Sequence, residues 1–510
     1  MLAKIHSAGL LGIEAYLVEI EVDVSSGLPT EVVVGLPDAA VKESKERVRT
    51  ALQNSGFSYS EDRITINLAP ADVKKEGPSF DLPIALGVLA ADGKIARRDF
   101  SPYLIVGELA LDGSIRPVRG VLSIALLARK LKNRPLLVPA ANAPEAAMVK
   151  GVEVRAVSTL AETVRFLEGE TDLPVVEVNP EAILDQSRSS EFDFADVRGQ
   201  ELVKRAIEVG VAGGHNILMI GPPGAGKSML ARRIPTILPP LSLGEALETT
   251  RIYSSMGLLP GDRPLLAVPP FHSPHHTISD IALVGGGARI RPGEVSLSHN
   301  GVLFLDELPE FSRNALEVLR QPLENGEVTI SRATGSITFP SRFMLVAAMN
   351  PCPCGYFTDP RRECRCNPGQ IRKYISKVSG PLLDRIDIHV EVSAVKFEDL
   401  AEKRPGESSE AIRLRVEKAR GVQKERFAHS RARRNAEMGS SHLRRFAVPD
   451  QEGRELLKMA MSELGLSARA YDRILKVART IADLEGEAEI RPYHLSEAIQ
   501  YRALDRRFWI

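Results

Sequence analysis

Long apolar runs are missing from this sequence. No stretch of its 510 residues approaches eighteen consecutive apolar positions, so no membrane-spanning helix is expected. The first residues, Met1-Leu-Ala-Lys-Ile-His6, lack the extended apolar segment of a secretory signal, and a cytoplasmic protein is the expectation. Net charge is missing as well. With 66 lysines and arginines against 66 aspartates and glutamates, any polyanion must be gripped by a local patch and not by the bulk field. Cysteine is nearly absent: the four that occur all fall between Cys352 and Cys366, which excludes a disulfide framework spread through the fold. What remains, 44% hydrophobic and 26% charged residues, predicts a globular chain of about two to four domains.

The stretch from Gly214 to Ser228 organises the rest. Ile217–Ile220 is an apolar run that reads as a short buried strand, and it feeds Gly221-Pro222-Pro223-Gly224-Ala225-Gly226-Lys227-Ser228. This octapeptide satisfies the phosphate-loop pattern G-x-x-x-x-G-K-[ST] at every fixed position. Glycines let backbone N–H groups turn inward around an anion, and the following helix points its positive end at the phosphates. Lys227 is expected to serve the β/γ-phosphates of ATP, and Ser228 to offer a hydroxyl to Mg²⁺.

Two further strands match. Gly301-Val-Leu-Phe-Leu-Asp-Glu-Leu308 is apolar up to Asp306-Glu307, as for a buried parallel strand delivering two carboxylates at its C-terminal end. Asp306 is expected to hold Mg²⁺ through water and Glu307 to polarise the attacking water. Phe343–Asn350 is a third such strand, ending in an amide able to hold the lytic water or the γ-phosphate. An asparagine at a strand end is common, so the role of Asn350 depends on the other two motifs.

Upstream, residues 1–170 read as an α+β domain. Ala15–Val24 alternates with period two, Leu28–Pro37 and Ile64–Leu68 are further strands, and Asp38 caps a helix running to about Ser55. Lys75-Glu76-Gly77-Pro78-Ser79, with Gly107-Glu108-Leu109 and Gly113 to Val118, resembles the Lon-protease-like branch of the ribosomal-protein-S5 fold. The resemblance places Ser79 at the nucleophile position and Leu122 where the lysine base should stand. A serine without an adjacent base is a poor nucleophile, so a binding or assembly module is expected here rather than a peptidase. Residues 171–191, with Asn179-Pro180 and a polar run from Gln186, read as a linker, 192–396 as the nucleotide-binding core and 397–510 as a helical lid.

Three local features carry further chemistry. Cys352-Pro-Cys354 and Cys364-Arg-Cys366 form a C-x-C…C-x-C set that suits a tetrahedral structural Zn²⁺ site, with an iron–sulfur cluster or four free thiols as the alternatives. The segment 271–298 holds His272, His275 and His276, read either as a metal site or as histidines bonded to backbone. Between residues 411 and 445, eleven lysines and arginines face three glutamates, which suggests a polyanion surface including Arg431, Arg433 and Arg434, or simply a solvated helix face.

The phosphate loop, the carboxylate strand and the amide-ending strand are together the marks of an AAA+ ATPase. With Phe271-His-Ser-Pro-His-His-Thr-Ile-Ser279 and the Lon-like front domain, the chain resembles the magnesium-chelatase-like branch, and within it the YifB/ComM family, along essentially all of its length. That resemblance implies a multidomain α/β protein: a Lon-protease/ribosomal-S5-type α+β domain, an αβα AAA+ core and a magnesium-chelatase-type helical lid. It implies a hexameric ring acting on single-stranded or branched DNA, as a ComM-type helicase promoting branch migration during natural transformation. It places an arginine finger at Arg385, in Gly380–Asp387, and a second sensor at Arg469, with Arg473 as the alternative. The hairpin signal around Thr334-Gly335, by the same likeness, points into the ring pore with Arg332 near its tip. Two other functions stay open: a chelatase-like ATPase that remodels a partner protein, and an ATP-dependent Lon-like protease.

Overall fold

The computed structural model describes all residues except 98, 187–190, 261–262, 288–289, 333–334, 358, 360, 395–405 and 505–510. The expected turn at Thr334 and the boundary at 396–397 lie outside the described residues. Two compact units make up the chain: residues 1–187 with 242–267, and 188–241 with 268–510.

In the first unit, period-two alternation becomes a four-stranded sheet in the order Leu2–Leu11, Glu14–Ser25, Arg63–Ala69, Thr30–Val34. The last pair is parallel and the others antiparallel. Val18, Ile20, Val22 and Val24 all point into the core, as their spacing requires. Asp38 caps the helix Ala39–Asn54 by accepting from the Val41 N–H at 2.9 Å. The helix Asp81–Ala91 is buried on every side. At its start Asp81 accepts from Arg47 Nε at 2.8 Å; burial pushes this carboxyl up to about 6 against the pull of Arg47. A second, three-stranded parallel sheet joins Leu104–Ile105, Leu136–Pro139 and Val154–Val157.

Two segments differ from expectation. The stretch read as a linker contains the helix Pro180–Gln186, because Asn179 caps it and Pro180 occupies the first helical position. Residues 242–267, counted within the nucleotide-binding core, pack in the first unit. Their helix Leu243–Met256 opens on a Ser242/Glu245 capping box. It is tied down by Arg251 on Glu14 at 2.6 Å and by the Ser254 carbonyl accepting from the Gly120 N–H at 3.0 Å.

The second unit is built on a five-stranded parallel sheet, Phe271–His272, Val302–Leu305, Met344–Met349, Ile217–Ile220, Ile388–Glu391 in that order. Its three central strands are wholly buried, as for strands covered on both faces. The tail is helical, with Ser409–Arg426, Gln451–Leu464, Ala468–Glu485 and Pro492–Gln500. Ile474, Leu475, Ala478, Ile481 and Ala482 share the buried face of the third of these, as their helical spacing predicts. Val416, Leu475 and Ile481 belong to the same apolar core as Ile217 and Val346, so the tail helices and the sheet form one unit.

Candidate active site

All of the central strands run parallel, so their carboxyl ends open on one side, where a crevice forms in open α/β sheets. Pro223 to Met229, Asp306, Glu307, Met349 and Asn350 line a cleft of about 360 Å³ there. Gly224 and Gly226 have φ of 78° and 91°, a left-handed backbone that favours glycine and turns N–H groups inward. Lys227 begins the following helix and is buried; its Nζ donates to the carbonyls of Gly221 at 2.7 Å and Pro222 at 3.0 Å, and to Asn350 Oδ1 at 3.1 Å. Burial lowers the Lys227 pKa, with Asp306 and Glu307 opposing the shift.

The Ser228 hydroxyl donates to Asp306 Oδ2 at 2.5 Å. A hydroxyl and a carboxylate converging beside a cradle for phosphates form the oxygen-donor set that Mg²⁺ takes, so the residues fit this ion together with a nucleotide. Glu307 follows in a left-handed conformation, φ 53°, its N–H donating to Asp306 Oδ1 at 2.9 Å. Its carboxylate is exposed and lies 3.4 Å from His276 Nδ1.

In the histidine segment, His272 Nδ1 lies 2.6 Å from Glu294 and His276 Nδ1 3.4 Å from Glu307, while His275 Nδ1 lies 2.9 Å from the Thr277 hydroxyl and accepts from the Thr277 backbone N–H at 3.4 Å, so the backbone bonding expected there is present at His275. Among the described residues these histidines assemble no metal-ligating cluster; the cysteines do. Nothing in the sequence could have paired His276 with Glu307, since thirty residues and a strand pairing separate them.

The arginines expected to act on phosphate lie elsewhere. Arg385, Arg469 and Arg473 line a second cavity of about 780 Å³, which shares no residue with the phosphate-loop cleft. The Arg385 guanidinium is largely buried, bonded to Glu324 and to the Pro381 carbonyl. Arg473 is committed to Asp387 at 2.6 Å. Burial alone would raise the Asp387 carboxyl; Arg473 and His215 outweigh it and hold it well below the usual carboxylate range. Arg469 is 68% exposed and pairs with Asp384 at 3.7 Å, a looser contact than that of Arg473 on Asp387.

The basic stretch of the tail is partly neutralised. Arg415 pairs with Glu208 and Glu407, and Arg426 makes a bidentate contact of 2.6 Å on buried Asp483. Arg431 and Arg434 line the Arg385 cavity, and Arg431 and Arg433 are exposed. Arg332 ends the first strand of the hairpin Glu327–Arg332/Gly335–Pro340 and is exposed.

In the front unit, Leu122 is buried and its backbone N–H donates to Glu145 Oε1 at 2.9 Å. No base is bonded to the Ser79 hydroxyl among the described residues.

The cysteines converge. Sulfur–sulfur distances are 3.4 Å for Cys352–Cys354, 3.7 Å for Cys352–Cys364 and 3.6 Å for Cys354–Cys364, and ligand atoms of all four lie within 4.8 Å of one another. Zn–S bonds of about 2.3 Å set tetrahedral sulfurs about 3.8 Å apart, so the cluster fits this ion. Burial and the Cys354 contact push the Cys352 thiol up to about 12, a cost that a bound cation removes.

Residues 193–400 match the family described as magnesium chelatase, subunit ChlI; residues 20–142 match subunit ChlI of Mg-chelatase, and residues 406–502 its C-terminal region. The chain is 45% identical over 509 residues to the competence protein ComM of Haemophilus influenzae, covering 99% of this chain and 98% of that one. It is 44% identical over 506 residues to the YifB protein of Escherichia coli, with 99% and 98% covered. Similarity to the magnesium-chelatase subunit ChlI of Euglena gracilis is weaker, 24% over 230 residues, covering 40% of this chain and 59% of that one. With identity of this level sustained from end to end, the chain belongs to the YifB/ComM family of magnesium-chelatase-like proteins.

Proposed function

We propose that this protein is an ATP-hydrolysing, ring-forming AAA+ motor that acts on single-stranded or branched DNA as a helicase or branch-migration factor. The observation that carries the ATPase reading is the convergence of Lys227, Ser228, Asp306, Glu307 and Asn350 on one cleft. When bound there, Mg²⁺ neutralises charge on the phosphates. Ser228 and Asp306 are the residues to hold it. Lys227 exchanges its carbonyl partners for phosphate oxygens, Asn350 orients the γ-phosphate, and Glu307 takes up the proton of the attacking water.

The DNA reading draws support from the ComM relative's name, a competence protein, and from Arg332 at the exposed end of its hairpin. Arg332, exposed at the end of its hairpin, is the candidate for gripping a phosphate in step with ATP turnover, while Arg431, Arg433 and Arg434 of the tail would contribute diffuse attraction. The chelatase-family matches support a second reading, hydrolysis that remodels a protein partner. Steady-state ATP hydrolysis with and without single-stranded and branched DNA separates the two. Stimulation of about tenfold or more by either DNA is the result expected, as for a motor whose correct substrate assembles its catalytic site. A rate indifferent to DNA would leave the remodelling reading.

The four cysteines are assigned to one structural Zn²⁺. Elemental analysis of the purified protein is expected to give about one zinc per chain for a four-thiolate site, lost when Cys352 and Cys364 are both changed to serine. Protein that carries neither zinc nor iron would remove this assignment. The protease reading finds no support around Ser79.

A further inference from the structure

We infer that His276 is the positioning residue for the Glu307 carboxylate. The inference rests on the reading of Glu307 as the group that polarises the attacking water, and deepens it. The strand Phe271–His272 pairs in parallel with the carboxylate strand, Phe271 beside Val302 and His272 beside Leu303. Parallel neighbours leave the sheet at the same edge, so the chain after His272 emerges where Asp306 and Glu307 do. His276 therefore reaches the reaction cleft from the histidine segment, and its Nδ1 lies 3.4 Å from Glu307 Oε2.

The imidazole is not a loose surface ring. It packs against His275, with centroids 4.1 Å apart and an interplanar angle of 34°, and meets buried Phe311 edge-on at 6.4 Å. Phe311 follows the turn Leu308–Glu310 directly after Glu307, so the ring and the carboxylate it faces are held by one local structure. Glu307 is constrained from its own side too, by the left-handed backbone and the bond from its N–H to Asp306. What the backbone leaves free is the side-chain torsions of an exposed glutamate. A ring N–H at ion-pair distance selects among them, and such contacts tighten when substrate completes a site. His276 touches neither phosphate nor water in this scheme; it acts through Glu307.

The test is steady-state ATP hydrolysis, with kcat and KM for ATP measured on His276→Ala, His276→Asn, Glu307→Gln and the double variant His276→Ala/Glu307→Gln. His276→Ala is expected to lower kcat about tenfold with KM for ATP changed less than about twofold, since orientation and not ground-state binding is lost. His276→Asn, whose amide N–H can replace the Nδ1 donor, is expected to recover kcat to within about threefold of the unsubstituted protein. In the Glu307→Gln background the alanine change should cost nothing further, because residues that act as a unit are not additive. A wild-type kcat in His276→Ala, a failure of His276→Asn to recover it, a loss confined to KM, or an independent loss in the double variant would each overturn the inference. Normal turnover in Glu307→Gln would instead show that the reading of Glu307 itself is wrong, and the inference would fall with it.

Discussion

Lys227→Ala is expected to lower ATP hydrolysis by at least about 10²-fold and to weaken nucleotide binding, the scale of removing one preorganised electrostatic donor. Its ammonium group is buried and rests on the Gly221 and Pro222 carbonyls and on Asn350. Desolvation already lowers its pKa, so the charge is held at a cost that these hydrogen bonds, the nearby carboxylates and, on binding, the phosphates offset. Alanine removes the one side chain in the phosphate loop that carries positive charge. The measurements are steady-state hydrolysis and equilibrium binding of a fluorescent ATP analogue, with nucleotide-free thermal melting as the control for folding. Hydrolysis within about threefold of the unsubstituted protein would contradict this assignment, because a loop donor of this kind is worth far more.

Arg385→Ala is expected to keep ATP binding and lose turnover by about 10³-fold, the lower range for an arginine finger supplied in trans. Under the proposed ring, the arginine serves a neighbour's nucleotide: its cavity shares no lining residue with the phosphate-loop cleft of the same chain. Glu324→Gln is the informative companion. The Arg385 guanidinium is bonded to Glu324, and a purely intradomain ion pair would make the two variants equally harmful. As a finger, Arg385 should tolerate Glu324→Gln with hydrolysis within about threefold, since a pair with a half-exposed partner contributes little. Mixing Arg385→Ala with Glu307→Gln protein then tests the geometry, because each lesion falls on a different side of a shared site. If the mixture never exceeds the sum of the separate preparations, or if the protein stays monomeric with ATP at every concentration, the trans role is refuted.

The phosphate loop and its two companion strands were legible because their signals are local. Ile217–Ile220, Val302–Leu305 and Met344–Met349 are unbroken apolar runs; the first leads into the glycine-rich loop, and the other two end at Asp306 and Asn350. Asp306, Glu307 and Asn350 follow two of those strands, and Lys227 and Ser228 open the helix after the loop; the parallel pairing of the strands brings them to one cleft. The paired C-x-C spacing likewise brought four sulfurs together within fifteen residues. Helix starts were read well where a capping side chain was recognised, as at Asp38, and missed where Asn179-Pro180 was taken as a break.

Counting charges along the tail overstated its field. Arg415 and Arg426 lie in a basic stretch of sequence, yet their partners Glu208 and Asp483 are contributed by helices remote in the chain. The sequence by itself singled out the residues that meet in the phosphate-loop cleft and the four cysteines that cluster, because each lies within a few positions of a recognisable strand end, loop or helix start. Only the tertiary structure decided that His276 faces Glu307, that Arg385 and Arg469 open on a cavity separate from the phosphate loop, and that residues 242–267 join the front unit. The reason is physical: each of these depends on the pairing of strands or the packing of helices far apart in sequence, and no single segment encodes such a pairing on its own.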